Sequence, residues 1–291
     1  MLRSRRNVLE SDRGTGWLRT CVGEPWVIHH DANSLCTATS RMRHKGVVNI
    51  PRVTSAYGEE FRSLFTAPPG MVMVGWDAQA LEAVIEAHYV YRFDPEYSEI
   101  LVSGSSDAGT DVHTRNSELL GISRDQAKTF KYAITYGAGP SRLASTLGIK
   151  IEPATELYND FWANNKGLRT LRDLLRTKWE ACDKKGFWGI DGRWVSCKSE
   201  YQLLNYLFQS GGAILMKYAA VIAEHTIHKL TTEAYSLIKY HDEEQWASPH
   251  ALCHSVGKLG VQSIEKAGRY LNLKVPITGD YKVGATWADT H

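Results

Sequence analysis

Two acidic positions stand where an acid could do chemistry. Asp77 ends a run of buried-type residues, Met71 to Trp76, and precedes a segment in which Leu81, Val84, Ile85 and His88 fall at helical spacing. A carboxylate at the end of a strand is held by the sheet while it faces a cleft. That placement suits Mg²⁺, which takes one or two protein carboxylates and leaves room for substrate oxygens. Alone, Asp77 reads as a cap for the helix beginning near Ala78. Glu82 lies off the apolar stripe and is expected to face the cleft. Asp242 and Glu243 follow an aromatic stretch, with strands expected over 235–240 and 245–248 and a turn at 241–244. Alone, a turn Asp reads as a solvated acid. Paired with Asp77, it would complete a two-metal site, one ion activating an attacking hydroxyl and the other stabilising a leaving oxygen.

The stretch from Ser123 to Gly137 is the most informative. Ser123 and Gln126 form a capping-box pattern, and Gly137, Gly139 and Pro140 mark the helix end. Between them Arg124, Lys128, Tyr132 and Tyr136 recur every four residues, a stripe about 18 Å long at the helical rise. Two cations lie near the positive end of the helix dipole, where anions are already favoured. Two aromatic residues lie at the far end, where a base could stack. An ordinary solvated face would interleave acids with these bases at i,i+4; here the partners are aromatic. The order phosphate, sugar, base is that of a nucleoside triphosphate laid along a helix. Phosphoryl transfer asks a protein mainly for positioning and charge neutralisation, and such a stripe with two acids provides both.

These residues need a scaffold. The 291-residue chain can bury an ample core as one large domain or two, and it is 43% hydrophobic and 23% charged. Its net charge of +2 does not announce a nucleic-acid binder, so a local basic groove would have to do that work. The five cysteines show no metal-ligand spacing, which points to a reducing compartment, and no apolar run approaches a bilayer span. Arg3, Arg5 and Arg6 read as a solvated basic end, followed by a poorly periodic connecting region to about residue 56. Helices are expected over 113–119, 124–136, 141–147, 153–184, 202–231 and 250–271, with a loop at 103–110. A hairpin at 186–196 turns near Asp191-Gly192, and a last strand is expected over 281–287. The layout is α+β.

In this order the segments resemble motifs A, B and C of the family A (Pol I-type) DNA polymerases, in particular the replicative branch of short-tailed phages. Motif A is Asp77-Ala-Gln-Ala-Leu-Glu82, motif B is Arg124-x3-Lys128-x3-Tyr132-x3-Tyr136-Gly137, and motif C is His241-Asp242-Glu243. Thr39-Ser-Arg41 with Asn49-Ile-Pro51, Asp111-Val-His113, Asn205-x3-Gln209, and Val283-Gly284 with Trp287 and His291 are further matches. The resemblance runs from about residue 17 to the end. It implies a right-hand palm of antiparallel sheet and helices with helical fingers: a connecting segment over 1–56, palm over 57–112 and 188–291, and fingers over 113–187.

The resemblance further implies template-directed DNA synthesis from deoxynucleotides on a primer–template, with two Mg²⁺ ions for which Mn²⁺ can substitute. Asp77, Asp242 and the Ala78 carbonyl would bind metal, with Lys128 and Glu243 joining the catalytic set. Arg124, Lys128 and His113 would hold the triphosphate. Tyr136 would shape the nascent pair, and Glu82 would block a ribose 2′-OH. Arg41, Asn205, Gln209 and His241 would contact DNA. Tyr132 stands at the position that governs discrimination by the 3′-OH, so ready incorporation of dideoxynucleotides is expected.

Val84 and Tyr201 stand where many members have arginine, which would weaken primer grip. Too few residues precede Arg41 for a thumb or a 3′–5′ exonuclease, so a second chain carrying both is expected. The rivals are a minimal single-chain polymerase and a catalytically silent nucleic-acid-binding remnant or truncated gene product. Intact Asp77, Lys128 and Asp242 argue against the remnant. A single-subunit RNA polymerase is disfavoured by Glu82, which would clash with a ribose, and by Glu243, where that family usually has serine. The expected location is the cytoplasm, that of the host if the gene is phage-borne.

Overall fold

The computed structural model describes Leu9 and residues 16–22, 27–34 and 36–291; Arg3, Arg5 and Arg6 of the basic end lie outside the described residues. Along the chain come α1 (Trp17–Thr20), β1 (Cys21–Val22), β2 (Val27–Ile28), β3 (Asp31–Asn33), β4 (Arg43–Lys45) and α2 (Gly58–Ser63). The strand β5 (Met71–Ala78) leads into α3 (Leu81–Val90), α4 (Pro95–Ser103), α5 (Val112–Leu120), α6 (Arg124–Thr135) and α7 (Pro140–Leu147). Then follow α8 (Ile151–Asn164), α9 (Lys166–Ala181), the hairpin β6 (Gly186–Trp188) and β7 (Trp194–Ser196), and the long α10 (Leu203–Leu230). Last come β8 (Tyr235–Tyr240), β9 (Glu243–Pro249), α11 (Cys253–Tyr270) and β10 (Gly279–Gly284). The mixed α+β class is as the sequence indicates.

Two compact units divide the chain. The first comprises residues 1–79, 216–267 and 278–291, and the second comprises 80–215 and 268–277. The first is built on an antiparallel sheet in the order β10-β5-β9-β8. The run Met-Val-Met-Val-Gly-Trp makes β5 because a strand inside a sheet with both faces covered must be apolar on both. One face carries Trp76 and Trp246, with ring centroids 5.5 Å apart. There α11 comes so close that a Cβ on Gly260 would stand 2.2 Å from the Trp76 ring, which is why glycine is needed. On the other face Met73, Ile238 and Tyr240 pack with Trp17, Val47, Ile50, Phe61 and Trp287.

The second unit is helical with one hairpin, and its core includes Ile85, Tyr97, Phe130, Leu143, Phe161 and Leu168. Three expectations are corrected here. The single helix expected over 153–184 is two, α8 and α9, broken at Asn165 (φ −104°, ψ 63°). The buried Asn165 amide bonds to the Phe161 carbonyl at 2.9 Å and to Asn116 at 3.3 Å, so a tertiary partner supports the break. Helix α4 was not expected, although Asp94 caps it and Pro95 opens it. The last strand ends at Gly284 because Asp289 gathers the Ala285 and Thr286 amides into a turn.

Candidate active site

In the first unit, Asp77 stands next to last in β5. Its register partners are Glu243 on β9 and Asp280 on β10. Directly opposed residues of antiparallel strands project to the same face, so three acids crowd one end of the sheet. Asp242 enters through the backbone, its carbonyl accepting the Ala78 N–H at 3.1 Å. Desolvation by the surrounding protein is the largest influence raising the Asp77 pKa to about 7, followed by the charges of Asp242, Glu243 and Asp280, against the Ala78 N–H. A carboxyl that resists ionising among other acids marks a place short of positive charge. Two carboxylates and a neighbouring carbonyl are hard oxygen donors of the kind that Mg²⁺ or Mn²⁺ takes. Among the described residues no group of three or more His, Cys, Asp or Glu could hold a metal.

The expected four-residue turn at 241–244 is only two residues long, because Tyr240 pairs with Glu243. Glu243 and Glu244 are therefore strand residues, and both are buried. Partners explain this. Glu243 accepts from Arg62 at 3.4 Å and from Trp287 Nε1 at 2.5 Å, and it meets His291 Nδ1 at 2.6 Å. Glu244 accepts from Trp246 Nε1 at 3.0 Å and from Lys239 at 3.2 Å. His241 takes the strained turn position at φ +60°. Its ring lies 4.6 Å from that of Tyr240 and 5.2 Å from that of His44. Desolvation, then the Arg41 and His44 charges, lower its pKa. Arg41 and His241 are thus brought to the neighbourhood of Asp242.

In the second unit, α6 starts on a complete capping box. Ser123 Oγ accepts the Gln126 N–H at 3.2 Å, and Gln126 accepts the Ser123 N–H at 3.0 Å. Ala127, Phe130, Lys131, Ile134 and Thr135 are buried. That leaves Arg124, Lys128, Tyr132 and Tyr136 on the outer side, with the two tyrosines 46% and 43% exposed. Arg124 is paired with Asp111, which also caps α5 by accepting the Thr114 N–H. Burial works against the Asp111 carboxylate, but its bonds to Arg124 and Thr114 prevail and hold its pKa well below the usual range. His113 is lowered to about 4 by burial and then by the charges of Lys131, Arg124 and Lys128, so it is neutral at pH 7. Its ring lies 5.8 Å from Tyr132.

Tyr136 donates to Glu82 at 3.3 Å and receives Gln209 Nε2 at 3.5 Å, which brings three of the predicted residues together. Asn205 lies one turn before Gln209 on α10 and is half-buried. Gly137, at φ +83°, could carry no side chain, since a Cβ would fall 2.0 Å from the Tyr201 carbonyl oxygen. Asp280 and the Arg124 partner role of Asp111 were missed. Sequence pattern offers no signal for Asp280, whereas Asp111 sits in a motif already singled out.

Known proteins share both the fold and the sequence pattern of the chain. The fold is that of the POL domain of Pol1 from M. smegmatis, solved in complex with a DNA primer-template and dNTP (TM-score 0.82, 20% identity, 99% of this chain and 52% of that one). Residues 15–289 match the family described as DNA polymerase family A. The chain belongs to that family. Among its relatives are the DNA-directed DNA polymerases of Enterobacteria phage T3 and Escherichia phage T7, each 29% identical over 306 residues, which are 94% of this chain and 42% of the relative. That of Escherichia phage Phieco32 is 26% identical, over 90% of this chain and 55% of the relative. The chain thus spans about half the length of the relatives it matches. Among the described residues no helix is long and apolar enough to cross a membrane.

Proposed function

We propose that this chain is the palm-and-fingers portion of a DNA-directed DNA polymerase, joining a deoxynucleoside monophosphate to a primer 3′-OH under template direction. The observation that carries the reading is the sheet end where Asp77 and Asp242 are tied through the Ala78 N–H, with Asp77 unwilling to ionise. Asp77, Asp242 and the Ala78 carbonyl would hold two Mg²⁺ ions, or Mn²⁺ in their place. Bound there, the ions would favour ionisation of the attacking hydroxyl and neutralise the leaving oxygen.

The chain's own residues do the rest. Arg124, Lys128 and His113 bind the triphosphate, with Arg124 exchanging Asp111 for phosphate. Tyr132 and Tyr136 meet the sugar and base, and Glu82 shuts out a ribose 2′-OH. Arg41, Asn205, Gln209 and His241 contact the primer–template. Glu243 supports the site by fixing the strand that follows Asp242. In this reading residues 57–112 and 188–291 form the palm, 113–187 the fingers, and 1–56 the connecting segment. The finer part is a split enzyme acting in the cytoplasm, with a second chain supplying thumb and 3′–5′ exonuclease.

Primer extension with the purified chain, Mg²⁺ and deoxynucleotides tests this, with Asp242→Ala as control. Extension that depends on an added second protein is the expected result. Extension by the chain alone would overturn the split form, and no extension under either condition would favour a silent remnant.

A further inference from the structure

Helix α6 carries a charge on the side where its packing asks for an apolar residue. Lys131 lies between Phe130 and Ile134 on the buried face, and its ammonium meets Glu86 of α3 at 2.7 Å. The two side chains are only 7% and 4% exposed. The other Glu86 oxygen accepts from the Tyr97 hydroxyl of α4 at 2.7 Å. Burial and then the Glu86 charge raise the Tyr97 pKa well above its ordinary value, so the phenol keeps its proton and donates. Arg115 of α5 stands 5.4 Å from the centre of the Tyr97 ring.

Stability alone is a poor reason for such a network, since apolar residues of similar volume often do as well or better. Direction is what the network adds. Apolar contacts tolerate sliding, whereas a buried ion pair has one good geometry. The place of the pair shows what that direction would serve. Glu86 lies one turn beyond Glu82 on α3, about 6 Å along the axis, and Lys131 lies about 7.5 Å before Tyr136 on α6. Glu82–Tyr136 and Glu86–Lys131 are therefore two rungs between the same helices, with the chain order reversed from one helix to the other. The outer rung is long, at 3.3 Å, and solvent-exposed. A bond of that kind is too weak to fix a separation by itself.

The geometry points to Lys131, Glu86 and Tyr97 as positioning residues for sugar selection, the inner rung that holds Glu82 and Tyr136 where together they exclude a ribose 2′-OH. This rests on the proposed polymerase function. It assigns to α3, α4 and α6 a selectivity device that touches no nucleotide.

The test compares ribo- with deoxynucleotides as a ratio of kcat/KM in primer extension, and as a ratio of Kd by equilibrium dialysis of labelled nucleotides with the full chain. Lys131→Met strands the Glu86 charge and is expected to melt early. Lys131→Met with Glu86→Gln keeps an acceptor for Tyr97 without buried charge and is expected to regain the melting temperature. Tyr97→Phe removes one bond and is the mildest variant. The double variant should lose discrimination by about tenfold despite its restored melting temperature, well short of the roughly hundredfold that a 1 Å misplacement can cost. Tyr97→Phe should lose a smaller part in the same direction. Discrimination that recovers with the melting temperature, or that Tyr97→Phe leaves untouched, would overturn the inference while the polymerase reading stands. A wild-type chain that neither binds nor incorporates any nucleotide would overturn both.

Discussion

The end of the sheet and the outer face of α6 handle charge in opposite ways. At the sheet end, Asp77 faces Glu243 and Asp280 across the strands, and its pKa is driven to about 7. On α6 two of the four stripe residues already have partners, Arg124 with Asp111 and Tyr136 with Glu82. The first region is short of positive charge, and a cation bound there would relieve it. On the proposed function Arg124 and Tyr136 would each release an internal partner to contact a ligand. The first region would then serve affinity for a metal and the second discrimination, because an incoming nucleotide would have to outbid bonds that already exist.

The largest effect that could break this contrast belongs to the sheet end. Asp242→Ala should reduce single-turnover primer extension by on the order of a thousandfold, about 4 kcal/mol of lost charge stabilisation. A reduction under tenfold would mean that the acids are not the metal site. Next comes Glu243, the sheet-end acid buried among Arg62, Trp287 and His291. Glu243→Ala would leave Arg62 buried without its carboxylate and should cost about 3 kcal/mol of stability in denaturant titration. An unchanged midpoint would place Glu243 with the uncompensated acids.

On the helix side, Tyr132→Phe removes one hydroxyl and should lower dideoxynucleotide incorporation by about tenfold, the worth of one hydrogen bond to a charged or polar partner. Unchanged termination would remove Tyr132 from sugar recognition. The smallest effect concerns protons. The folded Asp77 titrates near 7 and the unfolded one near 4, so the native state holds the extra proton between those values. In metal-free buffer this group's contribution should fall as pH rises from about 4 to 7 and level off above. Asp77→Asn should then stabilise the chain at pH 8 by about 1 kcal/mol, after allowance for solvent screening of a partly open group. Thermal melts in chelator across this range will show it, and a destabilised Asn variant would contradict the reading of a site short of positive charge.

Much of this was legible from local pattern. The four-residue spacing of Arg124, Lys128, Tyr132 and Tyr136 and the Ser123–Gln126 box are properties of one helix, and the structure keeps them. The strand ending at Asp77 was legible because a buried strand must be apolar throughout. What escaped depends on partners far along the chain. Glu243 reads as a turn acid until Arg62, Trp287 and His291 surround it. The break at Asn165 rests partly on Asn116, and the burial of Lys131 rests on Glu86. Asp94 followed by Pro95 is a local signature of the start of α4.

The turn between β8 and β9 has an evolutionary consequence. His241 occupies a left-handed backbone position, φ +60°, that glycine or asparagine fills at less cost. A library selected only for survival of heat should drift toward those residues there, and one selected for copying should retain the imidazole. On the proposed role of His241 the same turn sets a conflict between durability and output, whose outcome can be read from which residue a lineage keeps.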